Sequence, residues 1–276
     1  MKRLITIAFI ISIALHSMAQ KVEVGLMGGG MFYVGDLTEK RYSEIHPAGG
    51  MFLRINASGR VALKGNVLVG TVSGTDADAE SSTRRFRNLS FQSRISEFAA
   101  EVEVNLVDNY ASKGRRTICV PYLFAGLNVF HFNPQASLYD SISGKTTLYE
   151  LQPLGTEGQG LTKYPDLKRY NLNSFAFPLG AGIKFHLGDF LTMGLEFGMR
   201  KTLTDYLDDV SGFYAENALI SAQYGPTAGK LADRSPVENL KNTVRGNPST
   251  QDWYGFGGVL ISYTFIKKPK IRCNTF

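Results

Sequence analysis

The chain has 276 residues, of which 43% are apolar, 20% are charged and two are cysteines. This composition excludes a disordered chain, a disulfide-stapled scaffold and a cysteine-rich zinc protein. The formal net charge of +6 arises at the two ends of the chain, because residues 20–266 hold 24 basic and 24 acidic side chains. A domain without a basic excess is not expected to bind nucleic acid.

Residues 1–19 are predicted to be a signal peptide. Two basic residues open this segment, an apolar run occupies positions 4–15, and Ser17 and Ala19 supply small side chains for cleavage after Ala19. A membrane anchor is the alternative, but it would need about 20 apolar residues. We therefore expect an exported protein whose mature domain begins at Gln20.

The segment 20–266 alternates in polarity with a period of two, which predicts β-strands, whereas helical stripes are scarce. The clearest strand has apolar side chains on one face and Glu97, Glu101 and Glu103 on the other. The predicted strands, in chain order, are Val22–Tyr33, Ala48–Asn56, Val61–Val72, Arg94–Leu106, Thr117–Phe132, Ser174–Leu187, Phe190–Arg200 and Trp253–Phe265.

The predicted connections alternate between short and long. The short ones are Asn56–Arg60, Val107–Arg116 and Gly188–Asp189, and the long ones are Val34–Pro47, Ser73–Asn88, Pro134–Asn173 and Lys201–Asp252. This pattern is typical of an all-β outer-membrane β-barrel of about eight antiparallel strands, with long extracellular loops and with both termini in the periplasm. A soluble secreted barrel or sandwich, whose apolar face points inward, is the alternative.

Two features favour the membrane barrel. Charges of both signs lie on the polar face of the strands, where a dry soluble core would not accept them. Aromatic residues also cluster near strand ends, where an aromatic girdle would lie. These aromatic residues are Phe32, Tyr33, Phe130, Phe132, Trp253, Tyr263 and Phe265.

The polar faces predict a charge network inside the barrel. An eight-stranded barrel is just wide enough for side chains to fill its interior, and nearly balanced charges there should pair with one another. The predicted members are Glu23, Arg54, Lys64, Glu97, Glu101, Glu103, Lys184, Glu196 and Arg200. We therefore expect a filled barrel that forms no pore.

No catalytic group, metal site or cofactor site is predicted. The mature histidines show no metal-ligand spacing. Asp205, Asp208 and Asp209 could bind calcium, but solvated loop acids or turn caps are the favoured interpretation. A lipid-modifying enzyme would need a base and a nucleophile near the outer rim, for which His131 and Ser137 are the nearest candidates.

The two cysteines leave a disulfide open. Cys119 lies at the start of a predicted strand, on its predicted inward face, and Cys273 lies in the basic tail of residues 267–276. Both are expected in the periplasm, where a bridge can form, and two free thiols are the alternative. The tail itself is either a docking peptide for a periplasmic partner or a solvated end.

Several stretches resemble one family, the PorG-type outer-membrane β-barrels of the type IX secretion machinery of Bacteroidetes. The most specific are LQPLGTEGQG and, within RKTLTDYLDDVSGFY, the segment TDYLDDVSG. The full set, in chain order, is YVGDL (Tyr33–Leu37), RNLSF (Arg87–Phe91), PYLFAGLNVFHFNP (Pro121–Pro134), LQPLGTEGQG (Leu151–Gly160), FPLGAGIKF (Phe177–Phe185), RKTLTDYLDDVSGFY (Arg200–Tyr214) and RGNPSTQDWYGFGG (Arg245–Gly258). The region 215–242 looks less typical of this family.

The resemblance implies a non-enzymatic component of a protein-export apparatus. Its expected partners are outer-membrane lipid, a ring-forming lipoprotein (PorK-like) and the periplasmic companion of that lipoprotein (PorN-like), with no small-molecule substrate. By topology the ring contact would involve the short turns and the tail, namely Asn109, Lys113, Arg115, Arg116, Lys267, Lys268, Lys270 and Arg272. The alternative function is a generic small barrel that acts in adhesion or envelope integrity through its long loops.

Overall fold

Strands account for more than half of the residues that the computed structural model describes, which are residues 21–39, 44–77, 79–110, 116–141, 144–236 and 240–265. The strands are β1 (Lys21–Val34), β2 (His46–Asn56), β3 (Val61–Thr75), β4 (Ser90–Asn105), β5 (Cys119–His131), β6 (Pro134–Asp140), β7 (Lys145–Glu150), β8 (Asn173–Leu187), β9 (Leu191–Thr202) and β10 (Trp253–Phe265). The helices are α1 (Ser82–Arg87), α2 (Asn217–Tyr224) and α3 (Pro226–Ala232), with a 3-10 turn at Gln152–Leu154.

Eight of these strands close into an antiparallel barrel in the order β3-β2-β1-β10-β9-β8-β5-β4. The first and last strands of the chain pair from Val22 with Phe265 to Val34 with Trp253. The ring closes where β3 pairs with β4 along fifteen residues of each strand. A closed barrel leaves no edge strand with unpaired backbone groups, which is the requirement for crossing a membrane with strands. The predicted fold class is confirmed.

The outer surface of the barrel is apolar and the interior is not. Leu26, Leu127 and Ile261 are exposed on the outside by 67%, 61% and 53%, whereas Glu103 and Arg200 are fully buried inside. This is the opposite of a soluble barrel and is the arrangement of an outer-membrane barrel, whose outer face contacts lipid. Among the described residues, no helix is long and apolar enough to cross a membrane.

The two ends of the barrel differ, as the connection lengths predict. The turn end holds the short connections after β2, β4 and β8, and it also holds the start of β1 and the end of β10. The loop end holds the four long connections, which together we call the loop cap. Within the cap, β6 and β7 form a hairpin that joins β4 by two residue pairs, and α2 and α3 follow β9. The sequence analysis did not predict this hairpin or these helices.

Two details of the sequence analysis are wrong. The side chains of Val120, Tyr122 and Phe124 point into the barrel, so the inward and outward faces of β5 are reversed and Cys119 is exposed. The error has a physical cause: aromatic side chains fill a narrow barrel as well as charges do, so hydrophobicity alone does not identify the lipid face of this strand.

The aromatic girdle is also only partly present. Tyr33, Phe130 and Phe132 are buried within the molecule. Phe32 is buried as well, because its ring lies over Gly255, where a Cβ atom would occupy the same space. At the turn end, by contrast, Phe190, Tyr263 and Phe265 form an exposed aromatic row, with ring centroids 5.8 Å and 5.2 Å apart.

Candidate functional site

The interior of the barrel contains a continuous network of ion pairs. Arg54 lies 2.9 Å from the carboxylate oxygens of both Glu23 and Glu103. Lys64 lies 2.8 Å from Glu101 and 2.5 Å from Glu196. Inward positions on neighbouring strands lie side by side, so the period-two pattern of the sequence brings these residues together.

The same network continues on the other strands. Lys184 lies 2.5 Å from Glu103, and Arg200 lies 3.2 Å from Glu97. The Tyr254 hydroxyl also donates to Glu97, at 2.6 Å. All nine residues predicted for the network are buried inside the barrel.

Arg116 is a further basic member of this network, although the sequence analysis assigned it to the ring contact. Its guanidinium lies 2.7 Å from Glu23, and its side chain is 4% exposed. With Arg116, five basic side chains balance the five glutamates of the network. A buried charge without a partner is costly, so the balance explains how the buried interior can hold ten charged side chains.

The segment after β4 folds across the turn end of the barrel. Asn109 is fully buried, and its side-chain oxygen lies 2.5 Å from His186 Nε2. Its backbone N–H donates to Gly59 O at 2.8 Å. The assignment of Asn109 and Arg116 to a partner-binding surface is therefore wrong, because both side chains are used inside the barrel. The remaining residues of that assignment lie outside the described residues, and so do Ala19 and Cys273; they are Lys113, Arg115, Lys267, Lys268, Lys270 and Arg272.

A second buried polar network lies in the loop cap, around Arg245. Its guanidinium lies 3.0 Å from Glu157 and 3.7 Å from the Asp209 carboxylate, and it donates to Asp209 O at 2.5 Å. Glu157 also accepts the backbone N–H groups of Ser211 and Gly212, at 2.9 Å and 3.1 Å. Arg245, Glu157 and Asp209 are each at most 3% exposed.

Two aspartates of the TDYLDDVSG segment, Asp208 and Asp209, are buried and structural. Asp209 accepts hydrogen bonds from the hydroxyls of Thr156 and Tyr170, at 2.5 Å and 2.7 Å. Burial raises the pKa of Asp209 to about 6, although Arg245 opposes the shift. Asp208 accepts the Tyr33 hydroxyl at 2.6 Å, and burial raises the pKa of this carboxyl well above its usual range. Among the described residues, no group of three histidine, cysteine or acidic side chains could hold a metal ion.

Arg87 ties the first two long loops to the last. It contacts both carboxylate oxygens of Asp76 at 2.7 Å, and it donates to Arg245 O at 2.5 Å and to Asp36 O at 2.9 Å. Stretches that are far apart in the sequence therefore meet in one buried cluster; they are YVGDL, RNLSF, LQPLGTEGQG, TDYLDDVSG and the RGN of Arg245–Asn247. The chemistry of this cluster is charge compensation, which holds the loops in one conformation. No periodicity in the sequence marks its members, and only the family resemblance singles them out.

The candidate pair for lipid hydrolysis is not assembled. His131 Nδ1 lies 3.1 Å from Asn173 Oδ1 on the outer surface, and within the described part of the chain no contact joins it to Ser137.

A different serine and histidine do meet at the loop end, where His46 Nε2 lies 2.6 Å from Ser73 Oγ. Ser73 also hydrogen-bonds to the Glu44 carboxylate. The Ser73 hydroxyl has one proton, which it can donate to only one of these two partners, so the geometry alone does not make His46 the base that activates this serine.

Comparisons with known proteins find a family profile and several similar solved structures. A family profile described as "Domain of unknown function (DUF6089)" matches residues 2–148. No curated protein sequence gives a significant match. Similar solved structures include Ail, the attachment invasion locus protein of Yersinia pestis, in complex with a heparin analogue, at 8% identity and a TM-score of 0.40, covering 90% of this chain and 100% of Ail. A major outer membrane protein from Thermus thermophilus has 11% identity, a TM-score of 0.40 and coverage of 90% and 100%. Neisserial surface protein A has 9% identity, a TM-score of 0.35 and coverage of 90% and 98%.

Proposed function

Because the chain belongs to the DUF6089 family, whose description gives no activity, we propose a function from the residues and the fold. The protein is a non-enzymatic outer-membrane component of the type IX secretion machinery, and it anchors or positions the periplasmic ring at the outer membrane. The proposal combines the family resemblance of the sequence motifs with one structural observation, the filled interior of the barrel.

The filled interior supports a role without transport. The ion-paired side chains of the interior belong to strands on all sides of the barrel, and Asn109 and Arg116 lie across its turn end. A solute would have to break several buried ion pairs to pass, and each would leave a charge without a partner. A barrel that carries nothing can still act as a membrane anchor, and the two ends of the molecule are then its working surfaces.

The turn end is the proposed contact with the ring. In outer-membrane barrels the short turns face the periplasm, and here both described chain ends lie at that end. The basic residues that the proposal assigns to this contact are Lys113, Arg115, Lys267, Lys268, Lys270 and Arg272. Their charge would attract an acidic surface, which the proposal assigns to the ring-forming lipoprotein (PorK-like) or its companion (PorN-like).

The experiment is a tagged pull-down from gently solubilised outer membranes of the native cell, with the partners identified by mass spectrometry. One variant replaces Lys267, Lys268 and Lys270 by glutamate. A matched control replaces three exposed lysines of the loop cap, Lys145, Lys168 and Lys230, so that the net charge changes equally. We expect the wild type and the control to recover the ring-forming lipoprotein and its companion, and the tail variant to lose them. Equal recovery by all three would remove the tail from the contact, and recovery of the barrel alone by the wild type would contradict the proposal.

A second candidate function is adhesion or envelope integrity through the loop cap. The observation that favours it is the set of apolar side chains at the surface of the cap: Phe86, Phe213 and Val244 are exposed by 41%, 56% and 67%. Replacing these three residues by serine would abolish such a function. A ring anchor with the same substitutions should still secrete its cargo, so a secretion assay of this variant separates the two candidates.

A further inference from the structure

The loop cap carries a small two-stranded ribbon with a free edge. Tyr214 N donates to Thr243 O at 2.9 Å and Arg245 N donates to Gly212 O at 2.8 Å, so Phe213 and Val244 lie opposite each other in an antiparallel bridge. In such a pair the backbone groups of the two central residues point away from the ribbon. Within the described residues, the N–H and C=O of Val244 have no hydrogen bond. A sheet edge of this kind is a template for another strand.

A cleft of about 420 Å³ lies beside this edge. Its apolar walls include Phe86, Leu240 and Val244, and its polar lining includes Arg84, Arg87 and Arg245. Arg87 and Arg245 are already paired with acids. Phe86 and Val244 remain exposed by 41% and 67%, which is unusual for large apolar side chains grouped at a water-facing surface.

Two polar groups of this cleft have no hydrogen-bond partner among the described residues. The Tyr214 hydroxyl is buried without a hydrogen bond in a residue that is 5% exposed, and Arg84 Nη1 is buried and unpaired among the described residues. Burial raises the pKa of Tyr214 to about 12, so its hydroxyl keeps its proton at neutral pH and can donate. An unmade hydrogen bond in a buried site is costly, and a ligand with matching acceptors would recover that cost.

We propose that this cleft binds an extended polypeptide segment that adds as a third strand at the Val244 edge. Backbone hydrogen bonds to Val244 would supply the affinity, as in other cases of strand addition. A carboxylate of the segment would accept hydrogen bonds from Arg84 Nη1 and the Tyr214 hydroxyl, and no residue that is already paired would have to give up its partner. An aromatic or branched aliphatic side chain would cover Phe86 and Val244. The site lies at the opposite end from the proposed ring contact and does not depend on it.

The test uses a phage-displayed library of random nonapeptides, selected on the full protein in lipid nanodiscs and depleted on the variant Val244→Pro. The proline removes the free N–H and breaks no described hydrogen bond of the fold. We expect the enriched peptides to combine Asp or Glu with Phe, Ile, Leu or Val. The most enriched peptide is then synthesised, and its affinity is measured by fluorescence anisotropy.

A charge reversal provides the second variant. Arg84→Glu is expected to weaken the binding of that peptide by at least about tenfold, because an attraction becomes a repulsion. The matched control, Lys168→Glu, changes an exposed lysine of the cap outside the cleft and should leave the affinity within about twofold. If no peptide is enriched on the wild type over Val244→Pro, or if Arg84→Glu binds as tightly as the control, the proposal is wrong. Should Val244→Pro fail to fold, selection against Arg84→Glu replaces it.

Discussion

The interior of the barrel, or lumen, and the loop cap both bury charged side chains, but they hold these side chains in place in different ways. Both bury arginines against several acids: Arg54 lies between Glu23 and Glu103 in the lumen, and Arg245 lies between Glu157 and Asp209 in the cap. In the lumen, regular strands hold every member of the network except Arg116, which lies in the connection after β4. In the cap, irregular loops hold the network, and the network in turn holds the loops.

The two regions differ in whether the backbone or the network of side chains holds the structure together. The barrel has a complete ladder of backbone hydrogen bonds around its circumference. The strands are therefore held together without the interior charges, and those charges have to fit inside them. Among its described residues, the cap has short helices, a 3-10 turn, one hairpin and one isolated bridge between Phe213 and Val244. Its order therefore rests on side-chain contacts. Damage in the lumen should act on the whole protein, and damage in the cap should stay local.

The largest effect is expected for Glu103→Gln. This substitution removes a charge that contacts Arg54 and Lys184, and it leaves Lys184 with only Asn105 at 3.0 Å as a polar partner besides the new amide. Breaking a buried ion pair on one side costs about 3–5 kcal/mol. The measurement is the free energy of unfolding of the lipid-embedded protein in urea, monitored by the fluorescence of the single tryptophan. The control Val104→Ala, which faces lipid on the same strand, should cost about 1 kcal/mol; equal losses for the two variants would contradict the prediction.

A smaller and local effect is expected for Arg245→Met. Glu157 and Asp209 lose their cation, but Glu157 keeps two backbone N–H donors, so we expect a loss of about 2 kcal/mol in the stability of the cap. Hydrogen exchange of residues 204–212 should quicken by roughly 30-fold, since each 1.4 kcal/mol is a factor of ten. The unfolding of the barrel should not change. Lys230→Met, at an exposed site, is the control, and a barrel that melts with the cap would show that the two regions are one cooperative unit.

The stability of the cap should depend on pH. Burial, together with the nearby Asp36 and Glu157, raises the pKa of Asp205 to about 7 against a hydrogen bond from Ser211. Since the folded cap then holds a proton that the unfolded chain releases near pH 4, stability is full at low pH and falls as the pH rises from about 4 to 7. Exchange of the cap, corrected for intrinsic rates, should be about tenfold faster at pH 8 than at pH 5. The full pKa shift would predict a larger change in the exchange rate, but Asp205 is only half-buried and solvent screens its charge.

Asp205→Asn is the matched variant for this titration. It has nearly the same shape and no charge, so the part of the difference between pH 5 and pH 8 that Asp205 causes should disappear. A residual slope is expected from Asp209, whose pKa burial raises to about 6, and from Asp208, whose pKa burial raises well above its usual range. An unchanged slope in Asp205→Asn would assign the dependence to another group.

The smallest effect is expected for Arg116→Ala. Its partner Glu23 keeps Arg54 at 2.9 Å and Asn56 at 3.0 Å, so the loss should be about 1–2 kcal/mol. Neither the wild type nor this variant should give a stable ohmic current in a planar bilayer, because the remaining ion pairs still fill the barrel. A steady conductance in the wild type would contradict the interpretation that the barrel is filled.

Sequence reasoning reached the barrel but not the cap. Alternation in β4 placed Glu97, Glu101 and Glu103 on one face, since successive side chains of a strand point to opposite sides. The same reasoning reversed the faces of β5, where Tyr122 and Phe124 fill the interior. It also treated Arg116 as a surface base, because a residue in a turn has no periodic neighbours that would reveal its burial.

The amino-acid sequence by itself determined the membrane barrel, the number of its strands, the alternation of short and long connections and most of the inward charges. Each of these follows from local geometry, in which position along a strand decides the face of a side chain. Only the tertiary structure decided that Arg87, Glu157, Asp209 and Arg245 share one buried cluster. Those contacts join residues up to 158 positions apart. They depend on how irregular loops pack over the barrel end, and no repeating backbone geometry encodes that.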